Sequence, residues 1–136
     1  MRIALFLAAV AAGCTANETP EAVREAFSQP LPAVDGAHLN VSIVEVRYAP
    51  GGNSAPHRHT CPVIGYVIEG ALKTQVRGGP SQVYQAGESF YEAPNGVHEI
   101  SANASSREPV RFLATFVCDH GGPSTLPGAA PAGAIP

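Results

Sequence analysis

His57-Arg58-His59 is the part of this sequence best suited to chemistry. It follows a turn-rich run, Pro50-Gly51-Gly52-Asn53-Ser54-Ala55-Pro56, and a third histidine, His98, follows a similar run, Pro94-Asn95-Gly96-Val97. On a strand, residues i and i+2 project from one face, so His57 and His59 point together and Arg58 points the other way. A third imidazole from a neighbouring strand completes a three-nitrogen face suited to a divalent metal. His98 is the candidate for that role. Two bland alternatives stand beside this reading: surface histidines on loops, and a metal site without any reaction.

Glu92 is the carboxylate of most interest. It ends an aromatic run, Ser89-Phe90-Tyr91-Glu92, six residues before His98. It reads as a fourth ligand, as a general base, or as an exposed acid at a strand end. Glu99 adjoins His98 and faces away from it. Glu69 sits on a turn, and His38 and His120 read as surface residues. Cys61 lies near the histidines as a soft-ligand candidate, with a loop thiol or a disulfide as alternatives. Tyr66 and Tyr91 suit either a pocket wall or the core.

These groups need strands to hold them. The 136 residues, 45% hydrophobic, fit one domain. The 14 glycines and 13 prolines are scattered between short apolar runs without a repeat, a pattern of many short strands with close-set turns. Strands are expected over His38–Tyr48, Ser54–His59, Val63–Glu69, Ala71–Arg77, Ser81–Tyr84, Ser89–Glu92, His98–Ala102 and Arg111–Val117. The first shifts phase, from Leu39, Val41 and Ile43 to Val44, Val46 and Tyr48. That shift predicts a bulge or a strand covered on both faces. Thr19 as N-cap, Pro20 at the first helical position and Glu21 predict a short helix over Pro20–Phe27.

The net charge is −3 and the eight Lys and Arg are dispersed, which excludes a nucleic-acid footprint. Met1-Arg2 followed by the apolar Ile3–Ala12 is too short to span a bilayer and reads as an export signal. Ala11-Ala12-Gly13-Cys14 is similar to a lipobox, so the chain is expected to be periplasmic with its only membrane contact a lipid on Cys14. An ordinary cleavage site at Ala9-Val10-Ala11 is the rival. Export would leave Cys61 and Cys118 as an even pair in an oxidising compartment. A bridge between them would add about 4 kcal/mol in the chain-entropy picture; two separate thiols are the alternative.

Pro56-His57-Arg58-His59 with Tyr66-Val67-Ile68-Glu69-Gly70, and then Gly87-Glu88-Ser89-Phe90-Tyr91-Glu92 with Pro94-Asn95-Gly96-Val97-His98 and Asn103, resemble in order the two motifs of the cupin superfamily. The resemblance covers about residues 38 to 118. It implies an all-β fold, a single antiparallel β-barrel of the double-stranded β-helix or jelly-roll type, here with the short N-terminal helix. The expected divisions are a signal over 1–13, a tether and helix over 14–37, the barrel over 38–120, and a Gly/Pro/Ala-rich tail over 121–136 that is disordered or a loosely attached strap. The resemblance further implies one divalent metal (Fe, Mn, Ni, Cu or Zn) on His57, His59 and His98, a small-molecule substrate and a homodimer. The first motif normally carries a glutamate where this chain has Val63 and Ile64, and the second has one residue fewer before its histidine. Dioxygenase-type oxidation is the leading expectation. Isomerase or lyase chemistry on a small carbonyl or sugar compound, and a non-catalytic binding module, are the alternatives.

Overall fold

Alternation of side chains decides most of the architecture. In β8 (Val110–Cys118), Val110, Phe112, Ala114, Phe116 and Cys118 are buried, and the residues between them are less so. β3 (Val63–Glu69) repeats the pattern with Val63, Gly65 and Val67. Each strand thus buries one face at a period of two. The computed structural model describes residues 22–128. The remaining strands are β1 (Asn40–Tyr48), β2 (His57–His59), β4 (Ala71–Val76), β5 (Gln82–Gln85), β6 (Ser89–Glu92), β7 (Val97–Asn103) and β9 (Thr125–Pro127), with one turn of 3-10 helix at Gly36–His38.

Two antiparallel sheets face each other. One runs β1-β8-β3-β6 and the other β5-β4-β7-β2-β9. This is a cupin-type jelly roll, but not the closed barrel expected. The ladders stop at β1 and β6 in one sheet and at β5 and β9 in the other. Edge strands of three or four residues, β5, β6 and β9, offer too few backbone groups to carry the ladder around both corners.

The helix expected over Pro20–Phe27 is also absent where it can be seen. From Ala22 to Phe27 the chain is irregular, and its earlier residues lie outside those described. Local capping chemistry is overridden by long-range contacts. The Arg24 guanidinium donates to the Gly87 carbonyl at 2.8 Å, Ser89 Oγ donates to the Ala26 carbonyl at 2.8 Å, and Phe27 stacks on Tyr91. A helix would withdraw the Ala26 carbonyl from Ser89.

The phase shift in β1 has a different origin from either one expected. Its register against β8 is unbroken from Asn40↔Cys118 to Tyr48↔Val110. Val46 and Tyr48 pack inward on a cluster of Val67, Leu72, Phe90, Val110 and Phe112. Val41 and Ile43 face outward and stay 59% and 63% exposed. The strand is apolar on both faces, and only one is covered.

A second buried cluster joins Cys61, Val63, Ala114, Phe116 and Cys118. Cys61 and Cys118 form a disulfide, the bonded alternative of the two open from sequence. Beyond it, part of the expected loose tail is ordered. Thr125–Pro127 pairs with β2 as β9, and the Thr60 hydroxyl donates to the Pro123 carbonyl at 2.8 Å.

Candidate metal centre

β2 is the central piece. It is hydrogen-bonded to β7 on one side and β9 on the other. His57 lies directly opposite His98 of β7, and His59 directly opposite Thr125 of β9. The i, i+2 spacing and this register place three imidazoles on one inner face. Their ring centroids are 4.8 Å apart for His57–His59 and 5.2 Å for His57–His98. One nitrogen of each lies within 4.8 Å of the others. The β6–β7 turn is fixed to the same strand: Asn95 adopts a φ of 67°, donates its N–H to the His59 carbonyl at 2.6 Å, and accepts from Arg58 at 3.0 Å. Asn tolerates this left-handed conformation better than most residues. Arg58 is thereby held outside, as its position between the two histidines implies.

Each imidazole is oriented differently. His57 Nδ1 meets the Ala55 carbonyl at 2.8 Å; a carbonyl only accepts, so Nδ1 carries a proton and Nε2 is the atom available to a metal. His59 Nδ1 meets Thr125 Oγ1 at 3.0 Å. His98 is 3% exposed, and neither of its ring nitrogens has a hydrogen-bond partner among the described residues. Its Nδ1 faces the Glu92 carboxylate at 3.2 Å without hydrogen-bond geometry and its Nε2 has no partner, a costly state for a buried imidazole. A cation shared with His57 and His59 would satisfy it, so the residues present fit a divalent metal.

Glu92 lies against the cluster. Its Oε1 is 3.2 Å from His98 Nδ1 and its Oε2 is 3.5 Å from His59 Nε2. It is 7% exposed. Its cross-strand partner in β3 is Val63, one of the two positions where the first motif would carry glutamate. Directly opposed residues point to the same face, so the carboxylate has the same outlook from the adjacent strand. Burial pushes the Glu92 carboxyl up to about 7. Burial, and then the neighbouring His57 charge, push His59 down to about 4. His98 falls to about 4 by burial, then by His57 and His59. Without a cation the cluster prefers to be uncharged, and its buried imidazoles are already free bases, as metal ligands must be.

The other residues singled out from sequence lie elsewhere. Cys61 is in the disulfide and offers no thiolate. Glu99 pairs with Arg77 at 2.6 Å, Glu69 lies 3.6 Å from Arg111, and His38 lies 3.7 Å from Asp35. His120 Nδ1 accepts from the Gly122 N–H. Tyr91 stacks outside on Phe27, and Tyr66 alternates with the buried residues of β3. Asn103 is buried and donates to the carbonyls of Ala49 and Glu108, fixing loops. Thr125 was not legible, because its Gly/Pro-rich surroundings carry no strand pattern. The Tyr48–Ser101 pair, 3.0 Å apart on the cavity wall, was equally hidden.

The imidazoles open into a cavity of about 420 Å³ between the sheets. The Cupin domain family profile matches residues 44–116, which include every histidine of the cluster and Glu92. A cupin-like protein from Thermotoga maritima is 26% identical with a TM-score of 0.57, over 64% of this chain and 63% of its own. An oxalate oxidase in complex with the substrate analogue glycolate is 29% identical with a TM-score of 0.53, over 63% of this chain and 45% of its own. DMSP lyases at 16% identity and a TM-score of 0.57 share the fold, over 65% of this chain and 44% of theirs. The chain thus spans less than two thirds of the length of these structures. No curated protein matches it. With the two sheets, both histidine motifs and a family match over more than half its length, the chain belongs to the cupin family.

Proposed function

We propose that this protein holds one divalent metal on His57, His59 and His98 with Glu92 as fourth ligand, and oxidises a small organic molecule in a dioxygenase-type reaction. The observation that carries the reading is His98, buried with Nε2 unpartnered and Nδ1 3.2 Å from the Glu92 carboxylate, beside two further imidazoles. Iron or manganese bound there would supply Lewis acidity and redox chemistry. The chain's own part is to position the donors, exclude bulk water with apolar walls and keep an open mouth for substrate. The likeness to an oxalate oxidase supports the oxidative direction. One observation favours a lyase or isomerase as second reading: a carboxyl near pH 7 in a cavity suits a general base.

Elemental analysis of the protein purified from its own cells, joined to oxygen uptake, tests this. One equivalent of iron or manganese, lost together with oxygen uptake in His98→Ala, is expected. Metal-free protein that still binds small molecules would overturn it.

The location proposed is export with a lipid on Cys14, supported by the Cys61–Cys118 disulfide, a bond that persists in oxidising compartments. Cys14→Ser should release the protein from membranes; a cytosolic chain retaining Met1 would refute export. A homodimer through the outer face of β1 is supported by exposed Val41 and Ile43, with exposed Leu39 just before the strand. Ile43→Lys should then yield monomers by light scattering.

A further inference from the structure

The cavity has two unlike walls. Val44, Val46, Phe90, Phe112 and Phe116 make one side apolar. Neutral hydroxyls of Ser54, Ser101, Ser124 and Thr125 occupy the other, and the Tyr48 hydroxyl reaches Ser101 from the apolar side at 3.0 Å. Among the described residues no Lys or Arg lines it, and its single acid is Glu92. The nearby guanidiniums are committed elsewhere: Arg58 to Asn95, Arg77 to Glu99, and Arg111 near Glu45 and Glu69.

Charge balance then selects a ligand. A divalent ion with three neutral imidazoles and one carboxylate keeps one positive charge. One anionic oxygen neutralises it. A second negative charge would lie among phenyl rings with no cation to meet it, at a steep desolvation cost. The apolar wall in turn favours a ligand that brings hydrocarbon to bury. Resting on the metal reading above, we propose that the site takes a singly charged oxygen-donor acid carrying a compact apolar body, and rejects small dianions.

Chelated protein is reloaded with cobalt(II), and ligand binding is followed by the change in its visible absorbance. Mandelate and glycolate share one hydroxy-acid head, and mandelate adds a phenyl ring; oxalate adds a second charge instead. Mandelate is expected to bind about tenfold or more tighter than glycolate, the least that burying a phenyl ring supplies. Oxalate is expected to bind no tighter than glycolate. Ala114→Lys, which sets an ammonium in the cavity, should improve oxalate relative to glycolate by about tenfold; Val46→Lys serves the same end should the first variant not fold. Oxalate preferred by the unmodified protein, with no gain for mandelate, would overturn the proposal while leaving the metal reading intact. A protein that retains no cobalt would overturn the metal reading and this proposal with it.

Discussion

Glu92→Gln should have opposite effects on the metal-free and metal-loaded protein. The carboxyl is buried between His59 and His98, and its folded value is about 7 against an ordinary 4.5. Below pH 4.5 it is neutral in both the folded and unfolded chain and costs nothing. Between pH 4.5 and 7 the unfolded chain ionises freely while the folded one holds its proton. The raised value therefore contributes stability that is present at low pH and lost by pH 8. The loss is about 3 kcal/mol, at 1.36 kcal/mol for each pH unit of difference. Glutamine keeps the shape and cannot ionise. Chelated Glu92→Gln should match the parent near pH 4.5 and exceed it by about 3 kcal/mol at pH 8, read by urea unfolding. With metal the sign reverses, because the same change removes a charged ligand. Affinity in competition with a chromophoric chelator should fall about 100-fold, or about 3 kcal/mol. Moving the carboxylate to its cross-strand partner, Glu92→Val with Val63→Glu, should restore much of that loss. A chelated Glu92→Gln that is less stable than the parent at pH 8 would refute the desolvation argument. Unchanged metal affinity would remove Glu92 from the ligand set.

Thr125→Val should lower metal affinity about tenfold by freeing the His59 ring, and Thr125→Ser should restore it; equal affinities for all three would show that Thr125 does not orient His59. Gly65→Ala would set a Cβ 2.0 Å from Phe90 Cζ, so unfolding should show a loss of about 2 kcal/mol or more, and unchanged stability would contradict the packing described. His57→Ala, His59→Ala and His98→Ala should each sharply reduce bound metal while circular dichroism stays that of the folded sheet, since the strands are held by two apolar clusters that contain none of the three. Retained metal in any one of them would exclude that residue.

Strands such as Val63–Glu69 and Ser89–Glu92 were legible to the residue because alternation and a turn glycine bound them. The three histidines were legible for the same reason, since i, i+2 spacing needs only a strand to have meaning. Glu92 was legible as a candidate only; that it faces Val63 depends on the β3–β6 register, which no local pattern encodes. The helix at Pro20–Phe27 failed because capping residues report local preference, whereas Arg24, Ala26 and Phe27 are claimed by distant β5–β6 partners. Val41 and Ile43 suggested a covered face, but apolarity does not say what covers it. The pairing of Cys61 with Cys118 needed a distance, and composition holds none. Thr125 sits where Gly and Pro erase any period, so its place opposite His59 could come only from the fold.

That disulfide changes how the C-terminal strand reaches the histidines. Along the chain His59 and Thr125 are 66 residues apart. Through the bridge the path is two residues from His59 to Cys61 and seven from Cys118 to Thr125. In a chain whose β3–β8 ladder has not formed, that shortening raises the effective concentration of β9 at β2 about twentyfold, close to 2 kcal/mol by the three-halves power of loop length; once Val63 pairs with Phe116, the ladder itself brings the two segments nearly as close. β9 has only three residues and could not compete for β2 as a free segment. It behaves instead as a clamp on a short leash. The bridge therefore matters most while the chain is folding and β9 is first finding β2; reduction of the folded protein would leave both sheets, and most of the short path through Val63 and Phe116, in place.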